Sequence, residues 1–384
     1  MPDTHIAPPP TTVSPMRVGV VGVGMISDTF IGNIRDRFRN LELVGCTARD
    51  MAHIQAKADQ HGIAAMTMDD LMGDASIELV LNLTPVEAHV EVIERALKAG
   101  KHVYTEKTLT GDYRSAKALA DLADSRGLYL GCAPDTFLGS AVQTAAEAVA
   151  AGRIGQPTGF TVMLNRGMDL LYEFMPFLLR PGAGMGYDFG VYGLTAVLSI
   201  LGPAVEVCGF QQTNRPQRTY RLEGGAHFGE SYEIRNENVM TATMQLASGV
   251  LGTVAFNGDS VFPEQPYLCI QGTEGLIYLP DPNQFGGDVR LTPALRDPRE
   301  IMAGGGSTEV LPVHHRYSDN SRGVGAAEMV EAIAQGRPNR ASKEMACHIL
   351  EVLDGIVQSS ATRQYHRLTS RFTAPERLTG DEEF

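Results

Sequence analysis

The clearest chemical signature in the chain is Gly22-Val23-Gly24-Met25-Ile26-Ser27. The apolar run before it, Arg17 to Gly22, reads as a short buried strand, and Ser27-Asp28 lead into a helical pattern that ends near Arg39. Strand, tight glycine turn and helix in that order form the first half of a dinucleotide fingerprint. Gly22 permits the turn, and Gly24 leaves the backbone open to a pyrophosphate. With Met25 and Ile26 completing the loop, the helix behind it offers free N–H groups and about half a positive charge to the phosphates. Ser27 stands where the fingerprint has its third glycine. On its own, this incomplete motif does not separate a cofactor cradle from a plain strand–turn–helix.

A second strand, Leu41 to Cys46, ends at Thr47-Ala48-Arg49-Asp50, where a dinucleotide fold inspects the adenosine ribose. An acidic residue there bonds a free 2′-hydroxyl, whereas a small residue beside an arginine admits a 2′-phosphate. If Ala48 holds the acidic slot, the Arg49 guanidinium is the phosphate partner, which argues for NADP over NAD. A register two residues later would place Asp50 there and restore NAD.

A third strand over Ile77–Leu83 stops at Thr84-Pro85, and a fourth, Lys101 to Thr105, stops at Glu106-Lys107. Between them lies a helix with an apolar stripe of Val86, Val90, Ile93 and Leu97. His89 on that helix is a cofactor-binding candidate, with a packed or capping histidine as the alternative. A helix over Asp112–Gly127 and a fifth strand over Leu128–Cys132 complete the pattern. Strands alternating with helices predict a doubly wound parallel sheet, a Rossmann-type α/β domain. Ligands sit beyond the carboxyl ends of such strands, where Gly22, Arg49, Thr84 and Lys107 all fall. Asp135, just after the fifth strand, either reaches nicotinamide or substrate or serves as a turn residue.

Beyond Pro134 the pattern changes to a helix from Ser140 and strands over residues 159–164, 205–211, 239–246, 250–256, 267–271 and 276–279. They predict an α+β domain with a mostly antiparallel open sheet, one internal helix over Asp188–Leu201, and closing helices over Ala326–Gln335 and Glu344–Ser359. The resulting division is a proline-rich arm at 1–15, a nucleotide-binding domain at 16–136 and a substrate-binding and oligomerisation domain at 137–384.

The net charge of −13 argues against a nucleic-acid partner, which normally meets a basic surface. No apolar run approaches bilayer length, and the opening arm lacks the apolar core of a secretory signal. Five widely spaced cysteines without a Cys-x-x-Cys suggest neither a disulfide framework nor a zinc knuckle, and fit a reduced, cytoplasmic setting. His314-His315 alternate faces if extended, so no metal site is expected.

Taken together, Gly22–Ser27, Thr84-Pro85 and Gly100–Thr110 (GKHVYTEKTLT) resemble the glucose-fructose oxidoreductase/inositol dehydrogenase (Gfo/Idh/MocA) family. The resemblance implies a Rossmann domain, a C-terminal open sheet and hydride transfer between NAD(P) and a hydroxyl or carbonyl of a sugar, glycoside or cyclitol. Lys107 matches the family's catalytic lysine. Asp188 and Tyr192 match its substrate-pocket pair, with tyrosine in the place of the more usual histidine. Thr108 replaces the family's proline, often preceded by a cis bond, so the Lys107–Thr108 turn is expected to be trans or strained. The resemblance further implies a homo-oligomer, dimer or tetramer. Its alternatives are a redox-neutral glycosidase or lyase working by transient oxidation, and a non-catalytic sugar sensor.

In that reading Tyr192 takes the hydroxyl proton, Lys107 holds it in working range, and Asp188 orients the substrate or keeps Lys107 charged. Two charges about 4 Å apart interact by roughly 4 kcal/mol at an effective dielectric near 20. At ~1.4 kcal/mol per unit, an ammonium there would lower a phenol by two or three units. Asp135, Arg166 and Arg322 are further candidates to contact a hydroxylated or acidic substrate.

Overall fold

The computed structural model describes residues 14–261, 266–303 and 306–384, so the arm expected over residues 1–15 falls, except for its last two positions, outside the described residues. The first half is built on strands β1 (Met16–Val21), β2 (Leu41–Thr47), β3 (Ala64–Ala65), β4 (Leu79–Asn82), β5 (His102–Thr105) and β6 (Leu130–Cys132). All pair in parallel, in the order β3-β2-β1-β4-β5-β6. Every residue of β4 is buried, as expected of a strand covered by helices on both faces. The covering helices are α1 (Ser27–Arg37), α2 (Met51–His61), α3 (Met68–Gly73), α4 (His89–Lys98) and α5 (Tyr113–Ser125). The strand order reverses between β1 and β4, which opens a crevice at their carboxyl ends.

The Rossmann-type sheet therefore has six strands where the sequence pattern marks five. Ala64-Ala65 is too short to show a period, and α2 and α3 lie in a stretch without a clear apolar stripe. Their identity comes from local chemistry instead. The Asp50 carboxylate accepts the Ala52 N–H at 2.9 Å and caps α2, and the Thr67 hydroxyl accepts the Asp70 N–H at 3.1 Å and caps α3.

The second half begins with α6 (Ser140–Ala150) and strand β7 (Pro157–Asn165), followed by α7 (Val191–Leu201), β8 (Ala204–Gln212), the small β9–β10 pair (Gln217–Thr219, Ser231–Glu233), β11 (Val239–Leu246) and β12 (Leu251–Asn257). Then come β13 (Tyr267–Gly272), β14 (Gly275–Leu279), β15 (Arg290–Pro293), a short α8 (Pro298–Met302), β16 (Glu309–Val310), α9 (Val324–Gln335), α10 (Lys343–Thr362) and β17 (His366–Arg367). Nine strands form one sheet in the order β16-β15-β14-β13-β7-β12-β11-β8-β17. It is mostly antiparallel, and β7 runs parallel to β12. In β11 Met240, Ala242, Met244 and Leu246 face inward while Thr241, Thr243 and Gln245 face out, the alternation of a sheet covered on one side.

The helix expected over Asp188–Leu201 is preceded by a π-helical turn, Gly186–Gly190, that carries Asp188. Glycine is needed on both sides of it. A Cβ at position 186 would lie 2.5 Å from the Met240 sulfur, and one at 190 would lie 2.9 Å from the Phe256 ring.

Candidate active site

The glycine loop closes β1 onto α1. Gly22 has φ +98°, its N–H donates to the Thr47 carbonyl at 2.8 Å, and a Cβ there would lie 2.7 Å from the Leu83 carbonyl carbon. Only glycine fits without displacing the next strand end. At Gly24 the opposite holds, since a Cβ would meet nothing within 4 Å. The backbone there is open to the crevice, and the N–H groups of Gly24, Met25 and Ile26 have no partner among the described residues. Ser27 is buried, and its hydroxyl donates to the Gly24 carbonyl at 2.6 Å. It holds the turn from within. His53 of α2 braces the loop from outside, its Nε2 lying 3.0 Å from the Val23 carbonyl. The Asp28 carboxylate accepts from Lys57 at 2.6 Å and bonds His61 at 2.9 Å, tying α1 to α2.

At the ribose end β2 stops at Thr47, and Ala48 is the first residue after it. Arg49 is exposed and makes no hydrogen bond or ion pair among the described residues. Asp50, the competing acid, has its side chain committed to the cap of α2.

His89 joins two of the strand-end loops. It is fully buried, with Nδ1 2.7 Å from the Thr108 carbonyl and Nε2 2.9 Å from the Thr84 carbonyl. Burial pushes its pKa down, against the two carbonyls. Both ring nitrogens are thus engaged inside the protein. Expected as a cofactor contact, His89 instead clamps the Thr84-Pro85 loop to the loop that follows Lys107. Thr84 turns its hydroxyl onto Asn82 Oδ1 at 2.7 Å, and Asn82 in turn donates to the Thr105 hydroxyl at 2.9 Å.

The Lys107–Thr108 peptide, for which a trans or strained turn is expected in the absence of proline, is cis. Lys107 Nζ donates to Asp188 Oδ1 at 2.5 Å and to the Asp188 carbonyl at 3.0 Å, and lies 5.6 Å from the centre of the Tyr192 ring. The pair is nearly buried, with side-chain exposures of 17% and 15%. Burial works against the Lys107 ammonium, but Asp188, Tyr192 and Glu106 together hold its pKa above the ordinary lysine value. Burial likewise raises Glu106, whose carboxylate also takes the Lys107 N–H at 3.3 Å. Lys107, Asp188 and Tyr192, which come from both halves of the chain, are therefore brought together at the carboxyl edge of the parallel sheet.

The expected lowering of the phenol is outweighed. Burial raises Tyr192 above its ordinary value, although Lys107, and to a smaller extent Arg322, pull it down; Glu106 pushes it up.

Two family models match this chain, one described as oxidoreductase family, NAD-binding Rossmann fold, over residues 16–133, and the other as the GFO/IDH/MocA C-terminal domain, over residues 142–278. The chain belongs to the Gfo/Idh/MocA oxidoreductase family. It is 29% identical to an uncharacterised oxidoreductase of Schizosaccharomyces pombe over 68% of this chain and 70% of that protein. It is 30% identical to dTDP-3,4-didehydro-2,6-dideoxy-alpha-D-glucose 3-reductase of Streptomyces violaceoruber over 57% of this chain and 64% of that protein. Among solved structures, levoglucosan dehydrogenase in complex with NADH and L-sorbose superposes with a TM-score of 0.78 at 18% identity, covering 92% of this chain and 99% of that one. The open backbone at Gly24, the unpartnered N–H groups behind it and the small residue at Ala48 fit a bound NAD(P).

In this Gfo/Idh/MocA chain the remaining candidates separate. Asp135 is 1% exposed, and its Oδ2 accepts the N–H groups of Gly323 and Gly325 at 2.9 and 3.1 Å. Expected as a substrate contact, it is consumed in capping α9. The Arg166 guanidinium lies 5.0 Å from the Phe189 ring centre, and that ring lies 5.8 Å from Tyr192, so Arg166 stands at the edge of the site. The Arg322 guanidinium donates to Asn320 Oδ1 at 2.7 Å and to Asn283 Oδ1 at 2.6 Å, and Asn33 of α1 donates to the Arg322 carbonyl at 2.8 Å; isolated asparagines carry no sequence signal of such a role. Among the described residues no group of three or more His, Cys, Asp or Glu could hold a metal ion, and His315 Nε2 bonds Glu147 at 3.0 Å. No helix among them is long and apolar enough to cross a membrane.

Proposed function

We propose that this chain transfers hydride between NADP(H) and a sugar-like carbonyl or hydroxyl. The observation that carries the reading is the meeting of Lys107, Asp188 and Tyr192 beside the dinucleotide crevice. Bound NADPH would supply the hydride, and the chain would supply the rest. Tyr192, kept protonated by burial, donates its O–H proton to the carbonyl oxygen as that oxygen gains charge. Lys107, kept charged by Asp188, presents an ammonium to the same oxygen and to the Tyr192 ring. Asp188 holds Lys107 in place through both its carboxylate and its carbonyl. Ala48 and the exposed Arg49 support the 2′-phosphate of NADP over the free hydroxyl of NAD, given that Asp50 is taken by a helix cap.

A sugar or sugar-derived substrate is supported by the relatives, among them a nucleotide-sugar 3-reductase and a dehydrogenase solved with L-sorbose. The test is oxidation of NADPH and of NADH, followed by nicotinamide absorbance, against a panel of ketoses, keto-cyclitols and aldonolactones. Substrate-dependent oxidation of NADPH is expected. Release of an aryl glycoside's leaving group with no net change in cofactor would replace the proposal with the redox-neutral alternative.

A further inference from the structure

The two chain segments that meet at the candidate site share an anchor on α10, where Asp354 offers one carboxylate oxygen to each. Its Oδ2 accepts the Tyr113 N–H at 2.8 Å, at the start of α5 and in the stretch that follows Lys107. Its Oδ1 accepts the Tyr187 hydroxyl at 2.6 Å, from the residue next to Asp188. Tyr187 is 3% exposed, so this bond lies inside the protein. Leu353, beside Asp354, packs against the π-helical turn, 3.2 Å from where a Cβ on Gly186 would lie.

The other acids in this neighbourhood each serve a single segment. The Asp112 carboxylate caps α5, accepting the Ser115 N–H at 2.9 Å. The Glu237 carboxylate accepts the Gly182 N–H at 3.0 Å, upstream of the turn in which the Asp188 N–H donates to the Gly184 carbonyl at 2.8 Å. Of the three, only Asp354 bonds both segments. On the Lys107 side its hold is complemented by His89, which takes the Thr108 carbonyl at 2.7 Å. The stretch between Lys107 and α5 is thus fixed at two points. The far point, Asp354, is the one that also fixes Asp188.

Reacting groups tolerate little misplacement, and a shift of about 1 Å costs about a hundredfold in rate. We infer that Asp354 is a positioning residue for the proposed reaction: by taking one donor from each segment, it sets the spacing at which Lys107 meets Asp188. It acts through the backbone of the two segments. Its part in turnover rests on Lys107, Asp188 and Tyr192 being the reacting centre. Its hold on the Lys107–Asp188 pair does not, because that pair is a feature of the fold whatever the reaction.

Three variants test it. Asp354→Leu removes both acceptors, and Tyr187→Phe releases only the Asp188 segment. Asp354→Asn keeps both bonds, because its Oδ1 takes the Tyr113 N–H while its Nδ2 donates to a Tyr187 hydroxyl turned to accept. With the most active carbonyl compound from the panel, Asp354→Leu should lose about 10- to 100-fold in kcat, with KM and the NADPH dissociation constant within about threefold. Tyr187→Phe should lose less, and Asp354→Asn should keep most of the parent kcat. A second readout needs no turnover. Asp188→Asn strands the Lys107 charge among Glu106 and Tyr192, and Lys107 sheds it as pH rises, so the effect of Asp188→Asn on the unfolding equilibrium shrinks between pH 7 and pH 9.5. Where Asp354→Leu has already drawn the segments apart, that shrinkage should fall below about half of its size in the parent background. If Asp354→Leu does not fold, Tyr187→Phe carries both comparisons. An Asp354→Leu with kcat within about twofold of the parent, an Asp354→Asn as impaired as the leucine variant, or an undiminished pH effect would overturn the inference. If no compound on the panel is turned over, the proposed function fails, and the pH comparison alone decides whether Asp354 holds the pair.

Discussion

Replacing Asp188 by asparagine breaks an ion pair that joins the two halves of the chain at the candidate site. At 2.5 Å the attraction is roughly 7 kcal/mol for an effective dielectric near 20, most of which offsets the cost of burying both charges. Removing one partner of a buried pair costs about 3–5 kcal/mol because the other charge is left uncompensated. Lys107 has one escape, which is to lose its proton. From a free pKa near 10.4, that costs about 4.6 kcal/mol at pH 7 and about 1.2 kcal/mol at pH 9.5. The destabilisation of Asp188→Asn should therefore shrink by about 3 kcal/mol between those two pH values. The parent behaves in the opposite sense. Its Lys107 pKa is raised in the folded state, so the stabilisation is fully present below the unfolded pKa and is lost only as pH rises through the folded one. Urea unfolding at both pH values, followed by far-ultraviolet circular dichroism and by tyrosine fluorescence, measures the difference and shows whether the halves still unfold together. A loss under about 1 kcal/mol at pH 7, with the same pH slope as the parent, would refute the argument. The double variant Lys107→Met/Asp188→Leu should be less destabilised than Asp188→Asn, since a matched apolar pair leaves no stranded charge.

Three further outcomes follow from the site. Tyr192→Phe should lower turnover by about 10²–10⁴-fold, the usual contribution of a positioned acid, with nicotinamide affinity by fluorescence titration unchanged. Arg49→Ala should weaken NADPH binding by about 10- to 100-fold, the worth of a charge-assisted contact, and leave NADH binding within about threefold. His89→Leu removes the imidazole N–H that serves one of the buried carbonyls of Thr84 and Thr108, so it should cost about 1–3 kcal/mol in urea unfolding and weaken both cofactors alike.

Periodicity and glycine spacing were enough to anticipate the parallel sheet, because a fully buried strand such as β4 announces itself as an unbroken apolar run. The same is true of β11, whose strict alternation marks one covered face. What the sequence did not show are features decided by partners distant along the chain. His89 is recognisable as a histidine near a strand end, but only the fold shows that its two nitrogens are spent on Thr84 and Thr108. Asp135 has the residue type and position of a substrate contact, yet the N-terminus of α9 claims its carboxylate.

The phenol shows the same limit most sharply. Spacing places Asp188 and Tyr192 one turn apart, and it leaves open whether Asp188 faces a substrate or Lys107. That choice decides what Asp188 does in the site: on substrate it would orient a hydroxyl, whereas on Lys107 it keeps the ammonium charged in a buried setting. Burial still outweighs the pull of Lys107 on the phenol and holds Tyr192 in its protonated form. The Asp188→Asn variant separates the two roles, because only the Lys107 contact ties the loss of Asp188 to the pH-dependent stability worked out above.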